Sequence, residues 1–374
     1  MRATLITISQ GGPSARRKGR RVSSRLWRVF LISVAYAGAV IGAGFVSGRE
    51  VVQFFAVHGG RGLAGAALAT LAFAGLGAAA AYLSRLSGRH DYRDLVVHVS
   101  GPRLGEGFSV LMTLTLASAL AIMLAGGGAL AHQQLGWDYT AGTAATSSVI
   151  VLILVSDLRG LLWVNGVLVP LLLSGQLAVA IATLRASPIP LARLVNISPA
   201  AAGLPWWLMA LLYAGYNLVV GLSILPPATR RAKSPGEAAF AALAGGLVLG
   251  FCALATTALS LALWPTVAGV DIPTAYAVAQ RWPGRQGLVS VALWLAMVMS
   301  GTANAYGLGT RLAKLLRGPI NRWAVAAVVI CLPVTKLGFA RAIAILYPMA
   351  GAGGLAVIIV AVIRRFKAGR WPAS

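Results

Sequence analysis

Acidic residues are scarce in this chain: Asp and Glu together number 8 against 32 Lys and Arg, and charged residues make up only 11% of 374 positions. A soluble domain needs a larger charged fraction to solvate its surface, so that class is excluded. Cysteine is nearly absent as well. Cys252 and Cys331 fall in separate apolar segments, and His58, His90, His98 and His132 are scattered without ligand spacing, which leaves no disulfide framework or zinc site to read. No P-loop sequence occurs and the polar loops are too short for an ATPase domain, which argues against a nucleotide-driven pump. The apolar segments hold no cluster of His, Asp or Glu, so the chain does not read as an enzyme.

What is abundant is hydrocarbon: 58% of residues are hydrophobic and the mean hydropathy is +0.80. A bilayer core needs about 20 apolar helical residues to cross. Blocks of that size lie near 26–57, 62–86, 104–131, 140–156, 160–184, 204–227, 237–264, 287–313, 322–338 and 341–364. The expected fold is therefore an all-α polytopic membrane protein of about ten helices. The net charge of +24 does not point to nucleic acid, because the basic residues punctuate the blocks instead of forming one patch. With the N-terminus inside, 24 of the Lys and Arg fall in cytoplasmic regions and seven outside, with Arg49 inside the first block, which predicts both termini in the cytoplasm. The basic start, with Arg16, Arg17, Lys18, Arg20 and Arg21, is not a signal peptide, since the run after it is too long for an h-region and nine more blocks follow. Residues 1–25 are expected to be a disordered basic tail and 367–374 a second cytoplasmic tail around a 26–366 transmembrane domain.

The first block is odd. As one helix, its roughly 30 residues would run about 45 Å, and VAYAGAVIGAGFVSGREVVQFF puts glycines at 38, 42, 44 and 48 before Arg49 and Glu50. It is expected to break. Block six, LLYAGYNLVVGLSILPP, carries Tyr213-Ala214-Gly215 to match Tyr36-Ala37-Gly38, and Gly221 falls at the offset of Gly44. Midplane transporters often carry two inverted repeats, each with a discontinuous helix, so the halves are read as repeats, about 26–184 and 204–364, with helices one and six broken. An unwound stretch frees N–H and C=O groups that only protein, water or a ligand can satisfy. Freed N–H groups suit a carboxylate and freed carbonyls a small cation. Gly42, Ala43, Gly44, Tyr213, Asn217 and Gly221 are the expected solute-binding residues on that basis.

GAVIGAGFVSGREVVQFF (Gly38–Phe55) resembles the first-helix signature of the bacterial YkvI-type membrane proteins. YAGYNLVVGLSILPP, DIPTAYAVAQ (Asp271–Gln280) and SGTANAYGLGTRL (Ser300–Leu312) agree with it, and the resemblance spans roughly residues 26–366. It implies the amino acid–polyamine–organocation superfamily, the LeuT-like five-plus-five fold and a place in the bacterial inner membrane, without naming a solute. In sodium-coupled relatives one ion sits between carbonyls of the broken first helix and hydroxyls of the eighth. The resemblance carries those roles to Gly38 and Ile41 and to Ser300 and Thr302, although Gly301 separates two hydroxyls that relatives often hold adjacent. Each hydroxyl equally suits a bond to its own helix. Block five has no lysine to replace the ion, which leaves sodium, or a proton on Glu50, as the coupling ion.

Glu50 is the one acid inside a block away from its ends, and an intramembrane carboxylate is costly unless paired or protonated. It points about 100° from Arg49, while Gln53 shares its face. By analogy with relatives, Arg49 and Gln53 form a gate; alternatively both charges mark the outer interface. Asn165, Gln176 and Asn304 read as polar links between helices, Asn217 as pathway, and Tyr347-Pro348 as a bend. A divalent metal would ask for an acid–asparagine pair in block one or a methionine-based soft ligand in block six; block one has no asparagine, and block six has Met209 outside the repeated Tyr213-Ala214-Gly215 stretch. The expected function is ion-coupled secondary transport of a small organic solute, an amino acid or related compound, with the bilayer and the solute as partners. The alternative is a receptor or scaffold that keeps the fold without transporting.

Overall fold

The computed structural model describes residues 13–40, 42–156, 159–186, 194, 196, 197 and 203–367. In a bilayer the backbone must satisfy its own polar groups, which helices do internally, and the described residues form fourteen α-helices and no strand. The first span is three pieces, α1 (Pro13–Val40), α2 (Ala43–Ser47) and α3 (Arg49–Phe54). There follow α4 (Arg61–Ser87), α5 (Tyr92–Ser100), α6 (Pro102–Leu135), α7 (Tyr139–Val155), α8 (Arg159–Ala186) and α9 (Trp206–Ala228). The rest are α10 (Pro235–Ala262), α11 (Pro273–Arg281), α12 (Gln286–Leu316), α13 (Ile320–Cys331, continued by a 3-10 turn) and α14 (Phe339–Lys367). Leaving out the connecting helices α5 and α11, ten spans remain, as the block lengths predict.

The packing carries the repeat. Numbering the spans in chain order, a shift of five turns the contact between spans 1 and 7 into that between 6 and 2, the 3–4 contact into 8–9, and the 4–8 contact into 9–3; every one of these pairs packs together. Pairs 1–6, 2–7 and 3–8 map onto themselves and also pack. The connecting helices agree, since α5 follows span 2, α11 follows span 7, and each has nine residues. An apolar cluster including Leu124, Ile150, Leu154, Val298 and Val328 joins α6, α7, α12 and α13 into one body. The other body is built on α4, α9 and α10 around the first span.

The first helix begins at Pro13, within the basic segment; Arg and Lys are good helix formers, and extending an existing helix avoids the cost of a new nucleus. Residues 1–12 and 368–374 lie outside the described residues. One expectation is corrected. The sixth span is not broken: α9 runs unbroken through Gly215, Asn217 and Gly221. Its glycines serve close approach instead of unwinding. A Cβ on Gly215 would stand 2.5 Å from the Gly351 carbonyl, and one on Gly221 2.6 Å from the Tyr36 ring, the small-residue contact that membrane helices use. Pro226 and Pro227 sit in its last turn.

Outside the spans, Asp138 caps α7, accepting from the N–H groups of Thr140 at 2.8 Å and Ala141 at 3.2 Å. Hydrogen bonding, first of all from the Thr140 side chain, holds its carboxyl below the usual range. A group lowered in this way stabilises the fold above its unfolded pKa of about 3.9 and loses that effect as pH falls through its folded value. Asp138→Ala is therefore expected to melt below wild type at pH 7, with the gap closing in melts run progressively below pH ~4.

Candidate functional site

The first span breaks where its glycines predict. Gly42 is extended (φ −90°, ψ 174°), its N–H turning back to Val40 O at 2.9 Å and its carbonyl accepting from Phe45 and Val46 at 3.1 and 3.2 Å. A second break follows within one turn and a half. Gly48 is left-handed (φ 81°), a conformation only glycine adopts without strain, and it starts α3 in a new direction. The chain after the first break is thus a five-residue helix and a six-residue helix instead of one half-helix with a full dipole.

That second turn buries Glu50, which is 2% exposed. Its Oε1 has no hydrogen-bond partner, nor do the Tyr213 hydroxyl and Asn217 Oδ1, all three buried. Tyr213 and Asn217 are the polar side chains beside the Glu50 carboxyl. Asn217 Nδ2 gives one of its two N–H groups to the Tyr213 carbonyl at 3.0 Å, and its Oδ1 has no partner. Above the carboxyl stands Gly44, where a Cβ would meet Glu50 Oε2 at 2.8 Å and the Tyr347 hydroxyl at 3.4 Å. Tyr347 stacks on Tyr216 with ring centroids 4.1 Å apart, and the Tyr213 ring is wedged among Phe54, Phe55 and Phe73 at 5.0, 4.9 and 5.6 Å. Among the described residues no cationic side chain pairs with this acid. Arg49, its neighbour in sequence, points the other way.

Arg49 Nη1 donates to the carbonyls of Ala268 at 2.7 Å and Val270 at 3.1 Å, in the link between α10 and α11, and Asp271 is its acidic neighbour. The same link is tied to α2 by Thr274 Oγ1, which donates to Val46 O at 2.8 Å. It is also tied to α6 by Gln133, whose amide exchanges two bonds with the Ile272 backbone, at 3.2 and 3.0 Å. Together these ties form a latch that holds the α10–α11 segment to the first span and, through Gln133, to α6. On its outer side a cavity of about 530 Å³ opens between Tyr139, Thr143, Asp271 and residues 335–341. At the opposite end of the molecule Arg28 clips α1 to α10 through Glu237, at 2.7 and 3.2 Å.

The residues expected from the sequence fall into three groups. Gly44, Glu50, Tyr213 and Asn217 come together, with Gly42 at the break and open space where its Cβ would be. Ala43 opens α2. Gly221 lies instead under the Tyr36 ring, and Arg49 is in the latch, with Gln53 half-buried one turn beyond Glu50. Ser300 and Thr302 do not converge: two residues apart on the unbroken α12 they point about 200° from each other, and the Thr302 hydroxyl donates to Val298 O at 2.8 Å. Gly38 lies in the last turn of α1, and Ile41 lies outside the described residues. Gln176 is a link, as read, donating to Phe45 O at 3.2 Å and Thr256 Oγ1 at 2.9 Å. The α8 side chain of Asn165 is outside the description. Among the described residues no cluster of three His, Cys, Asp or Glu could hold a metal ion. Sequence reading passed over Tyr216 and gave Tyr347 only a bend; a tyrosine on each of two apolar helices, one of them three residues from Tyr213, was the available signal.

The closed pattern of ten spans with a broken first span defines the class. Mhp1, a nucleobase-cation-symport-1 family transporter, matches in its inward-facing conformation with a TM-score of 0.64 at 14% identity, over 91% of this chain and 76% of that one. A manganese transporter of Eremococcus coleocola matches with a TM-score of 0.60 at 16% identity, over 95% and 80%. The chain is a multi-pass membrane protein with the LeuT-like transporter fold. In sequence it is similar to the uncharacterized membrane protein YkvI of Bacillus subtilis (strain 168), 28% identical over 335 residues, 87% of this chain and 93% of that protein. YyaD of the same strain is 27% identical over 342 residues, 89% and 96% of the two chains. No protein-family model matches.

Proposed function

We propose that this protein is an ion-coupled secondary transporter of a small organic solute, an amino acid or related compound, working by alternating access in the bacterial inner membrane with its basic end and both termini in the cytoplasm. The observation that carries the reading is the set of buried, unpartnered polar atoms, Glu50 Oε1, Tyr213 Oη and Asn217 Oδ1, gathered beside the break in the first span. Buried polar atoms without protein partners are costly, and three gathered in one place support a polar solute as what satisfies them. The latch at one end, and the apolar cluster that ties α6, α7, α12 and α13 into a unit of their own, support alternating access. Of the two coupling ions, the proton is favoured. Glu50 is a buried acid in the site, whereas the hydroxyls required for sodium face apart on α12.

The test is counterflow in proteoliposomes. Loaded with each member of a panel of amino acids, amines and carboxylates, they should take up labelled external solute for at least one compound, with a pH gradient and not a sodium gradient driving net uptake. Saturable binding without flux would turn the reading toward a receptor.

A further inference from the structure

Of the three unpartnered atoms at the central site, two are acceptors, Glu50 Oε1 and Asn217 Oδ1, and the third is the Tyr213 hydroxyl. Glu50 Oε1 and Asn217 Oδ1 can only accept while the acid is ionised, and the Tyr213 hydroxyl has a lone pair beside its one proton. Among the described residues no cationic side chain pairs with Glu50: Arg49 Nη1 goes to the carbonyls of Ala268 and Val270, and Arg28 to Glu237. The walls are aromatic, with Tyr216 stacked on Tyr347 and Tyr213 held among three phenylalanines. Acceptors call for donors, an unbalanced acid calls for positive charge, and aromatic faces attract organic cations. An alkylammonium, with three N–H donors on one positive nitrogen, meets all three demands at once. A carboxylate ligand would set like charge beside Glu50.

Resting on the transporter reading above, we propose that the solute carries an ammonium group that binds Glu50, and that it exchanges with a proton at that carboxyl. The one carboxyl holds either the proton or the ammonium. When the ammonium arrives the O–H bond of the neutral acid breaks, its proton passes to water, and the carboxylate pairs with the nitrogen; departure reverses this. A monovalent ammonium therefore moves one way for each proton moving the other, and net charge transfer is zero. The titratable groups facing Glu50 are Tyr213 and Tyr216 of α9 and Tyr347 of α14. The first span brings Arg49, turned to the latch, and the turn after α3 brings His58. On α10 the titratable groups are Glu237, paired with Arg28 at the far end, and Cys252. Glu50 is the one acid among them at the site.

The test uses the full chain in nanodiscs, titrated calorimetrically with methylammonium, benzylammonium and butane-1,4-diammonium, and with benzyl alcohol and benzoate as neutral and anionic counterparts. Two buffers of different ionisation enthalpy count released protons. At least one ammonium is expected to bind with proton release that grows as pH is lowered from 8 to 6, and Glu50→Gln should weaken it 100-fold or more and remove the release. Should that variant not purify as a monodisperse protein, Gly44→Ala replaces it, its methyl standing 2.8 Å from Glu50 Oε2; it should weaken benzylammonium more than methylammonium. Benzoate or benzyl alcohol binding equally to wild type and Glu50→Gln, sodium binding that Glu50→Gln abolishes, or no binding by any ammonium would overturn the proposal. Flux then separates the two readings. Ammonium binding with proton release but no counterflow leaves the cation site standing and removes transport, whereas counterflow confined to neutral or anionic solutes does the reverse.

Discussion

Gly351→Leu is expected to yield a protein that melts far below wild type or does not fold. A Cβ at Gly351 overlaps the Leu212 carbonyl oxygen, with the carbonyl carbon 2.8 Å away and Leu212 Cα at 3.1 Å. Nothing there can rotate aside, because the obstacle is the backbone of α9. The contact is mutual, since Gly215 faces the Gly351 carbonyl at 2.5 Å and Gly354 faces the Gly215 carbonyl in turn. Overpacking a tight interior costs about 1–3 kcal/mol and sometimes more, and at about 2–4 °C per kcal/mol the upper end, about 3 kcal/mol, corresponds to a fall of roughly 6–12 °C. Gly175→Ala in α8, where a Cβ meets nothing within 4 Å, should melt within about 2 °C of wild type, since an exposed helical alanine is no worse than glycine. Thermal unfolding in detergent, read by intrinsic fluorescence, compares them; equal melting of the two variants would mean the α9–α14 contact does not limit stability.

Arg49→Ala is expected to release the latch. The guanidinium makes two charge-assisted bonds, to Ala268 O and Val270 O, each worth about 1.5–3 kcal/mol. Losing about 3 kcal/mol in the latched state alone raises the unlatched population on the order of 100-fold, since each 1.4 kcal/mol is tenfold. Amide exchange across residues 266–281 should quicken by that order, and exchange in α4 should not change. Arg49→Lys keeps the charge but cannot span both carbonyls with a planar fork, and should fall between. If exchange in 266–281 is unaltered in Arg49→Ala, the bonds to Thr274 and Gln133 suffice and Arg49 is not part of the gate.

Length and periodic charge made the ten spans legible, because the bilayer sets a minimum run of apolar helix whatever the side chains do afterwards. The break at Gly42 was legible for a related reason: one helix from Leu26 would overshoot the hydrocarbon. Continuity of α9 was not. Glycine in a helix reads the same whether it unwinds or lets a neighbour come close, and only the positions of Tyr36 and α14, remote in sequence, decide between them. Glu50 stood out as a lone acid in an apolar run, and Asn217 as an amide beside a repeated tripeptide. Tyr216 and Tyr347 did not, since a tyrosine bordering a cavity and a tyrosine in a packed core present the same pattern. The pairing of Ser300 with Thr302 came from resemblance, and the 200° between them is a property of any unbroken helix.

α1 is one helix of 28 residues from Pro13 to Val40, about 42 Å at 1.5 Å per residue. Its far end, Val40, is two residues before the extended Gly42 and four before Gly44, where the buried acid lies. A rod hinged at one end turns a small angle into a large displacement at the other, and the reverse also holds: lipid headgroups gripping the basic end would set the tilt with which α1 meets its hinge. Bilayer thickness and surface charge thereby become mechanical inputs to the site.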